Sequence, residues 1–325
     1  MNAAAPLVEV RDLHVEYPGR DGPARAVDGV TLAVNEGETL ALVGESGCGK
    51  TTLARTIMGL QAPTSGEVCF RGEPLAYDRK GMREHRRRAQ MIFQDPTGAL
   101  NARQTLYEAV AEGVRIQGLE GDEEQLVADA LANAGLRPPE SFFTRYPYEI
   151  SGGQRQRVII AGAMVLNPTL LVADEPVSAL DASVRGEILA LMLGLVRQAG
   201  ITILVITHDL GLAWNVADRV AVMYLGRIVE DAPAEQLLMH PRHPYTRALL
   251  SVVPETKQME PQILTGETPD PTRIPAGCRF HPRCPVLESG EAARLGIEDK
   301  CRGEDPLFLP ACHAVELAPR SVSVA

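Results

Sequence analysis

The sequence has no apolar stretch long enough to cross a membrane. Its longest apolar runs, residues 158–166 and 201–206, fall far short of the roughly 20 residues that a transmembrane helix needs. Residues 1–10 also lack the basic region and apolar segment of a secretory signal peptide. We therefore expect neither a membrane span nor a signal peptide, so that work at a membrane requires docking through a partner.

The chain also lacks an excess of positive charge. Lys and Arg number 32 against 42 for Asp and Glu, which gives a formal net charge of −10, and aromatic residues make up only 4%. This balance argues against nucleic-acid binding. The basic run at residues 79–88 contains Glu84 and no interleaved aromatic residue, so we interpret it as a solvated helix face.

Short apolar strands alternate with helical segments through most of the chain. The patterns predict a β-rich start at residues 7–43, which includes a buried strand at 40–43, and helices at 50–60, 155–166 and 184–198, with buried strands at 169–173 and 202–206 and a hairpin at 220–230. Such alternation predicts an α/β fold with a mainly parallel sheet covered on both faces. After residue 254 proline becomes frequent, so we place a boundary there and predict domains of residues 1–254 and 255–325.

A glycine-rich loop follows the predicted strand at residues 40–43 and opens the next predicted helix. It fits the pattern G-x-x-x-x-G-K-T, in the context that separates a phosphate-binding loop from a plain turn. Backbone N–H groups cradle phosphates in such a loop, the lysine reaches the terminal phosphates and the threonine hydroxyl binds Mg²⁺. The candidate ATP-binding residues are Gly44, Glu45, Ser46, Gly47, Cys48, Gly49, Lys50, Thr51 and Thr52, with Cys48 interpreted as a small filler.

Several downstream residues could complete an ATP-hydrolysing site. The apolar strand that ends in Asp174 and Glu175 offers one carboxylate for Mg²⁺ and one general base for the attacking water. Gln94 could contact Mg²⁺ or the water, and His208 could contact the γ-phosphate. Tyr17 could stack on the adenine ring, although a tyrosine alone is more often part of the core or surface.

A second anion-binding motif precedes the predicted helix at 155–166. It consists of Ser151, Gly152, Gly153 and Gln154, where the serine can cap the helix and the glycines expose backbone N–H groups. One chain with one phosphate loop has no need for a second such motif, unless it serves the nucleotide of another copy.

In this order the motifs resemble those of the ATP-binding subunits of ABC transporters. The resembling segments are the Walker A run at 44–52, the Q-loop at 94–96, the signature at 151–157, the Walker B run at 170–175, the D-loop with Asp181 and the switch histidine His208. The resemblance implies a RecA-like core, an antiparallel β subdomain and a helical signature subdomain at about 95–165. It also implies ATP and Mg²⁺ as ligands, and a head-to-tail dimer in which one copy's Walker A faces the other copy's signature.

Further segments resemble the oligopeptide, dipeptide and nickel importer branch of this family. They are residues 42–50, 93–96, 220–229 and 243–250. The branch implies a second, different ATPase subunit, two membrane permeases and an extracytoplasmic solute-binding protein, with this chain peripheral on the cytoplasmic face of the membrane. The alternative is a non-transport ABC ATPase that acts on ribosomes or DNA, but the long coiled-coil insertion of DNA-repair members is missing.

Four of the six cysteines cluster in the C-terminal tail. Cys278, Cys284, Cys301 and Cys312 resemble the cysteine motif of peptide-importer ATPases. A cytosolic chain rarely keeps structural disulfides, so we interpret them as a metal site. The spacing lacks the close cysteine pairs of zinc sites, which favours a [4Fe–4S] cluster over Zn²⁺. Four buried free thiols are the remaining alternative, and from the sequence the role is structural.

Overall fold

The computed structural model describes residues 6–19, 21–94, 96–253, 261–306 and 308–317. Two sheets organise this part of the chain. The antiparallel sheet has the order β2-β1-β4-β5, and the larger, mainly parallel sheet has the order β10-β9-β3-β8-β7-β6. The strands are β1 (Val8–Tyr17), β2 (Ala24–Val34), β3 (Thr39–Val43), β4 (Ser65–Phe70), β5 (Glu73–Pro74), β6 (Ala89–Ile92), β7 (Leu170–Asp174), β8 (Thr202–Thr207), β9 (Arg219–Tyr224) and β10 (Arg227–Pro233).

Helices lie in several of the connections between these strands, and short helices occur in the C-terminal part. They are α1 (Lys50–Ile57), α2 (Arg79–Arg88), α3 (Pro96–Ala99), α4 (Leu106–Gln117), α5 (Glu123–Asn133), α6 (Glu140–Phe143), α7 (Gly152–Met164), α8 (Ala182–Ala199), α9 (Leu210–Val216), α10 (Ala234–Met239), α11 (Pro244–Ser251), α12 (Pro285–Glu288), α13 (Glu291–Arg294), α14 (Glu298–Gly303) and α15 (His313–Leu317). Within the described residues, no helix is both long enough and apolar enough to pass through a bilayer.

In the larger sheet, three neighbouring parallel strands end on the same side of the sheet, and each is followed by a loop. Strand β8 pairs in parallel with β3 on one side and β7 on the other, and every residue of the three strands is buried. The register sets Val43 opposite Thr207 and Asp174 opposite Ile206. The loops that follow these strands therefore emerge side by side, at the carboxyl ends where α/β sheets bind ligands.

A helical region lies between β6 and β7 and has its own core. Helices α4, α5, α6 and α7 bury an apolar cluster that includes Leu106, Leu131 and Val158. Thr105 and Ser151 each form a capping box at the start of α4 and α7, which supplies hydrogen bonds to the first N–H groups of each helix.

The C-terminal part packs directly on the larger sheet. Phe280 and Tyr245 are fully buried against Tyr224 of β9, with ring centroids 5.3 and 4.7 Å from it. Cys278 and Cys284 belong to the same apolar cluster as this face of the sheet. The extension therefore shares a core with the ATPase-like part, and the boundary at 255 lies outside the described residues.

Most sequence-based expectations of the fold are confirmed. The α/β architecture, the parallel sheet, the antiparallel sheet and the hairpin between β9 and β10 are all present. The basic run forms helix α2, as expected, but Met82 and His85 face inward and are buried. The extension contains short helices where the sequence had suggested only fading periodicity.

Candidate nucleotide-binding site

The loop between β3 and α1 can be formed only with glycine at two positions. Gly44 and Gly49 have φ angles of +155° and +110°. A Cβ atom on Gly44 would lie 2.2 Å from the carbonyl oxygen of Met223, and one on Gly49 would lie 2.1 Å from that of Ala26. Both backbone conformation and space therefore require glycine, and the loop is pressed against β9 and β2.

Lys50 begins helix α1 with its side chain folded back over the loop. Its Nζ donates to the carbonyl oxygens of Gly44 at 2.7 Å and Glu45 at 2.8 Å, and the side chain is buried. Cys48 is also buried, and burial raises the pKa of its thiol. A neutral, buried thiol fits its interpretation as a filler, and Lys50 is the cation available to phosphates at this loop.

Glu45 is held by residues from the C-terminal part of the chain. Arg283 donates to both of its carboxylate oxygens, at 2.7 and 3.0 Å, and Thr268 donates to Oε2 at 3.0 Å. The Glu45 N–H donates to the Tyr245 hydroxyl at 3.0 Å. Burial acts to raise the pKa of Glu45, but the bonds from Arg283 and Thr268 and the charge of Lys50 outweigh it and lower the pKa.

The two acids at the end of β7 lie in different environments. Asp174 is buried and bonded to the Thr51 side chain, and its other carboxylate oxygen, Oδ1, has no hydrogen-bond partner among the described residues. Burial raises the pKa of Asp174. An orphaned carboxylate oxygen beside a threonine hydroxyl fits a Mg²⁺ ion, which prefers oxygen ligands. Asp174 and Thr51 would hold that ion.

Glu175 and His208 come together across neighbouring strand ends. The Nδ1 atom of His208 lies 2.6 Å from Oε1 of Glu175. Glu175 has a φ of +49°, and its backbone N–H donates to the carbonyl of Ile206 at 2.9 Å. A non-glycine residue in this conformation is strained by about 1–3 kcal/mol, and β8 holds it there. The two residues expected to act on water and γ-phosphate are therefore in direct contact.

Two other expected residues lie on the surface. Gln94 is exposed just after β6, and Tyr17 is 37% exposed at the end of β1. A partly exposed tyrosine is accessible to an adenine, and an exposed amide is accessible to an ion or water. Asp95 of the expected Q-loop lies outside the described residues.

The signature residues form a separate cleft with the D-loop. Ser151, Gly152, Gly153 and Gln154 line it together with Asp181, and no residue of the loop at 44–52 does so. Ser151 accepts a hydrogen bond from the Gln154 N–H at 3.2 Å. A Cβ atom on Gly153 would lie 2.8 Å from Cγ1 of Val184, so glycine lets α7 approach α8. The cleft presents a helix N-terminus at which an anion can bind.

The four tail cysteines are buried and line one narrow cavity. Burial raises the pKa of Cys278 to about 12 and of Cys301 to about 11, so the thiols are neutral. As the side chains stand, the described residues contain no group of three His, Cys, Asp or Glu side chains in a geometry that could hold a metal ion. The structure therefore brings the four thiols to one cavity without closing them into a ligand set.

Sequence reasoning missed the contacts that Arg283, Thr268 and Tyr245 make with the loop. Tyr245 belongs to a segment singled out for its resemblance, and Arg283 stands beside Cys284. Neither feature identifies Glu45 as the contact, because Arg283 and Glu45 are 238 residues apart in the sequence. The arginines Arg279 and Arg283, which stand among cysteines and a phenylalanine, could have indicated buried ion pairs.

Comparisons with known proteins agree with this geometry. The ABC transporter family matches residues 27–178, and the C-terminal region of oligopeptide/dipeptide transporters matches residues 229–290. A probable peptide ABC transporter ATP-binding protein of Sinorhizobium fredii, y4tS, is 44% identical, covering 94% of this chain and 89% of its own. A putative oligopeptide transport ATP-binding protein of Bacillus subtilis, YkfD, is 46% identical and covers 95% of each chain.

Solved structures share the fold. The protein cbiO1 from Clostridium perfringens, part of the ABC transporter complex cbiONQ, has a TM-score of 0.65 and 30% identity, covering 73% of this chain and 92% of its own. The cassette MJ0796 in a dimeric, post-hydrolysis state with ADP and Pi has a TM-score of 0.63 and 29% identity, covering 70% of this chain and 98% of its own. The chain is an ATPase and belongs to the family of ABC transporter ATP-binding proteins that carry the oligopeptide/dipeptide transporter C-terminal region.

Proposed function

We propose that this chain powers a peptide importer by binding and hydrolysing ATP in a head-to-tail dimer of ATPase subunits. The observation that carries the proposal is the position of Lys50, Asp174, Glu175 and His208 around one edge of the sheet, with the signature in a separate cleft. The names of the relatives y4tS and YkfD support the peptide class.

Each residue at the sheet edge has a role that its contacts support. Lys50 would exchange its two carbonyl partners for phosphate oxygens. Thr51 and Asp174 would hold Mg²⁺, which would supply charge neutralisation to the phosphates. Gln94 adds an amide oxygen to this group, and Tyr17 stacks on the adenine. Glu175 takes a proton from the attacking water as general base, and His208 orients Glu175 while reaching toward the γ-phosphate.

The signature acts on the nucleotide of another subunit. Ser151, Gly152, Gly153 and Gln154 offer a helix N-terminus, and an anion at that end is favoured by the helix dipole and free N–H groups. Asp181 lies in the same cleft and would face the partner across the interface. Closure of two such subunits on ATP gives the movement that membrane subunits can use.

The partners that fit this role are a second, paralogous ATPase, two permeases and an extracytoplasmic solute-binding protein. The chain would sit at the cytoplasmic face of the membrane through the permeases. Affinity purification of the tagged full-length chain from solubilised membranes tests this assembly. We expect one further ATPase and two polytopic proteins to co-purify, whereas recovery with ribosomes or DNA instead would overturn the transport function.

We also propose that the four tail cysteines bind a metal centre, with a [4Fe–4S] cluster favoured over Zn²⁺. The donor set supports this, because four thiols line one cavity and both centres accept four cysteines. Binding requires the thiols to lose their protons and close in on the metal, whose charge favours the thiolates. The centre would pin the extension to the sheet and takes no part in hydrolysis.

Iron, zinc and acid-labile sulfide assays on anaerobically purified full-length protein test the metal centre. About four iron and four sulfide per chain are expected from the cluster's composition. A Cys301→Ser variant should lose the metal, and a Cys69→Ser variant is the matched control because Cys69 is buried in β4, away from the tail. The absence of both iron and zinc would remove the claim.

A further inference from the structure

The side chain of Arg283 reaches from the cysteine segment to the Walker A loop. Arg283 directly precedes Cys284 and is only 6% exposed. Its Nη1 and Nη2 atoms donate to Oε2 and Oε1 of Glu45 at 2.7 and 3.0 Å. Bidentate arginine–carboxylate pairs fix orientation as well as charge. Arg283 therefore determines where the Glu45 side chain points.

Two further groups from the same half of the chain hold Glu45. Thr268 donates to Oε2 at 3.0 Å, and it accepts from Nη1 of Arg283 at 3.3 Å. The fully buried Tyr245 accepts a hydrogen bond from the backbone N–H of Glu45 at 3.0 Å. The side chain and backbone of one Walker A residue are thus both held by C-terminal elements.

This arrangement matters for a loop that must accept a polyanion. A free Glu45 carboxylate would add negative charge beside the phosphates and would compete with them for Lys50, whose Nζ already lies 2.8 Å from the Glu45 carbonyl oxygen. The guanidinium of Arg283 neutralises that carboxylate and fixes its orientation. A permanently charged arginine suits this role better than a lysine, because its planar fork matches the carboxylate.

We propose that Arg283 is a positioning residue for ATP binding, which neutralises and orients Glu45 and so links the cysteine segment to the nucleotide site. The inference rests on the proposed ATP-binding role of residues 44–52. It also gives the extension a role at the nucleotide site: the position of Arg283, which precedes Cys284 in the chain, becomes a determinant of nucleotide affinity.

Equilibrium binding of MgATP to the full-length chain tests the role of Arg283. We expect Arg283→Gln to weaken binding roughly tenfold, which corresponds to about 1.4 kcal/mol, and Arg283→Lys to restore part of it. Arg273→Gln is the matched control, because Arg273 also joins the extension to the N-terminal sheet, through Asp21 at 2.9 Å, but away from the loop. It should bind MgATP like the wild type.

A double-mutant cycle with Glu45→Gln separates positioning from simple structural support. If Arg283 acts by neutralising Glu45, Arg283→Gln costs much less affinity once the carboxylate is gone. A structural role alone would lower the melting temperature of both backgrounds and leave the dissociation constant unchanged. Wild-type affinity in folded Arg283→Gln, or additive losses in the cycle, would overturn the inference.

Two further results, a variant that does not fold and a wild-type chain that does not bind MgATP, have separate interpretations. Should Arg283→Gln not fold, Arg283→Lys and Thr268→Val carry the same test, since each removes part of the contact with Glu45 and keeps the rest. A wild-type chain that does not bind MgATP would overturn the proposed function itself, whereas unchanged affinity in the variants overturns the inference alone.

Discussion

The imidazole Nδ1 of His208 lies 2.6 Å from Oε1 of Glu175. With Glu175 ionised, the His208 N–H donates and one lone pair of the carboxylate is occupied. A neutral histidine in this tautomer has only an acceptor left at Nε2. It can therefore donate to a γ-phosphate only by gaining a proton or by giving up its bond to Glu175. In the second case, the entry of ATP releases Glu175 to act as the general base.

Glu175→Gln should abolish most hydrolysis while leaving ATP binding intact. The amide cannot take a proton from water, and removal of a general base costs roughly 10²- to 10⁴-fold in rate. Steady-state phosphate release and equilibrium MgATP binding measure the two effects. Glu235→Gln, at an exposed position in α10, is the control and should keep the full rate. A Glu175→Gln enzyme with the wild-type rate contradicts the general-base role.

His208→Ala should lower kcat more than it changes ATP affinity. It removes both the group that orients Glu175 and a donor to the transferring phosphate, and the loss of one such donor costs roughly 10²-fold or more. Measuring kcat and KM of the assembled transporter separates the effect on turnover from the effect on ATP affinity. His240→Ala, an exposed histidine elsewhere, should leave kcat unchanged. An effect confined to KM would mean that His208 serves binding alone.

Gly49→Ala should destabilise the fold more than Gly47→Ala. Both residues have positive φ, +110° and +79°, which costs an alanine about 1–3 kcal/mol. Only Gly49 adds a clash, because its new Cβ would lie 2.1 Å from the carbonyl oxygen of Ala26, whereas nothing lies within 4 Å at Gly47. Melting temperatures of the two variants isolate the clash. If both variants lowered the melting temperature equally, the close packing of the loop against β2 would be refuted.

Buried His85 should make the protein less stable as the pH falls below about 6.5, the ordinary pKa of histidine. Burial lowers the pKa of His85 in the folded state, where Nε2 lies 2.9 Å from the Ile57 carbonyl and donates to it. In the window between the two pKa values only the unfolded chain binds the proton. Stability then falls by up to about 1.4 kcal/mol per pH unit.

Comparison with a His85→Gln variant isolates this contribution. Glutamine can still donate to the Ile57 carbonyl but does not titrate. We expect the plot of unfolding free energy against pH, from denaturant titrations between pH 7 and pH 5, to be shallower for the variant. Parallel plots for the two proteins would show that the folded state takes up the proton as readily as the unfolded chain does.

Local pattern was enough to predict the elements that carry the motifs. The strand before Gly44, the strand that ends at Asp174 and the cap at Ser151 are set by neighbours within a few residues, and the structure has each of them. The Glu175–His208 contact could be inferred only from the expected parallel order of strands. The pairing of Arg283 with Glu45 could not, because a buried arginine can meet any of many carboxylates until the chain is packed.

The C-terminal extension also covers an edge strand of the larger sheet. Strand β10 ends that sheet, and Ala311 donates to its Val229 carbonyl at 2.8 Å, while Phe280 covers the rings of Tyr224 and Tyr245. Exposed edge strands can pair with strands of other chains. A chain cut at residue 254 would expose both a hydrogen-bonding strand and an aromatic surface, so the ATPase portion on its own should be prone to aggregation.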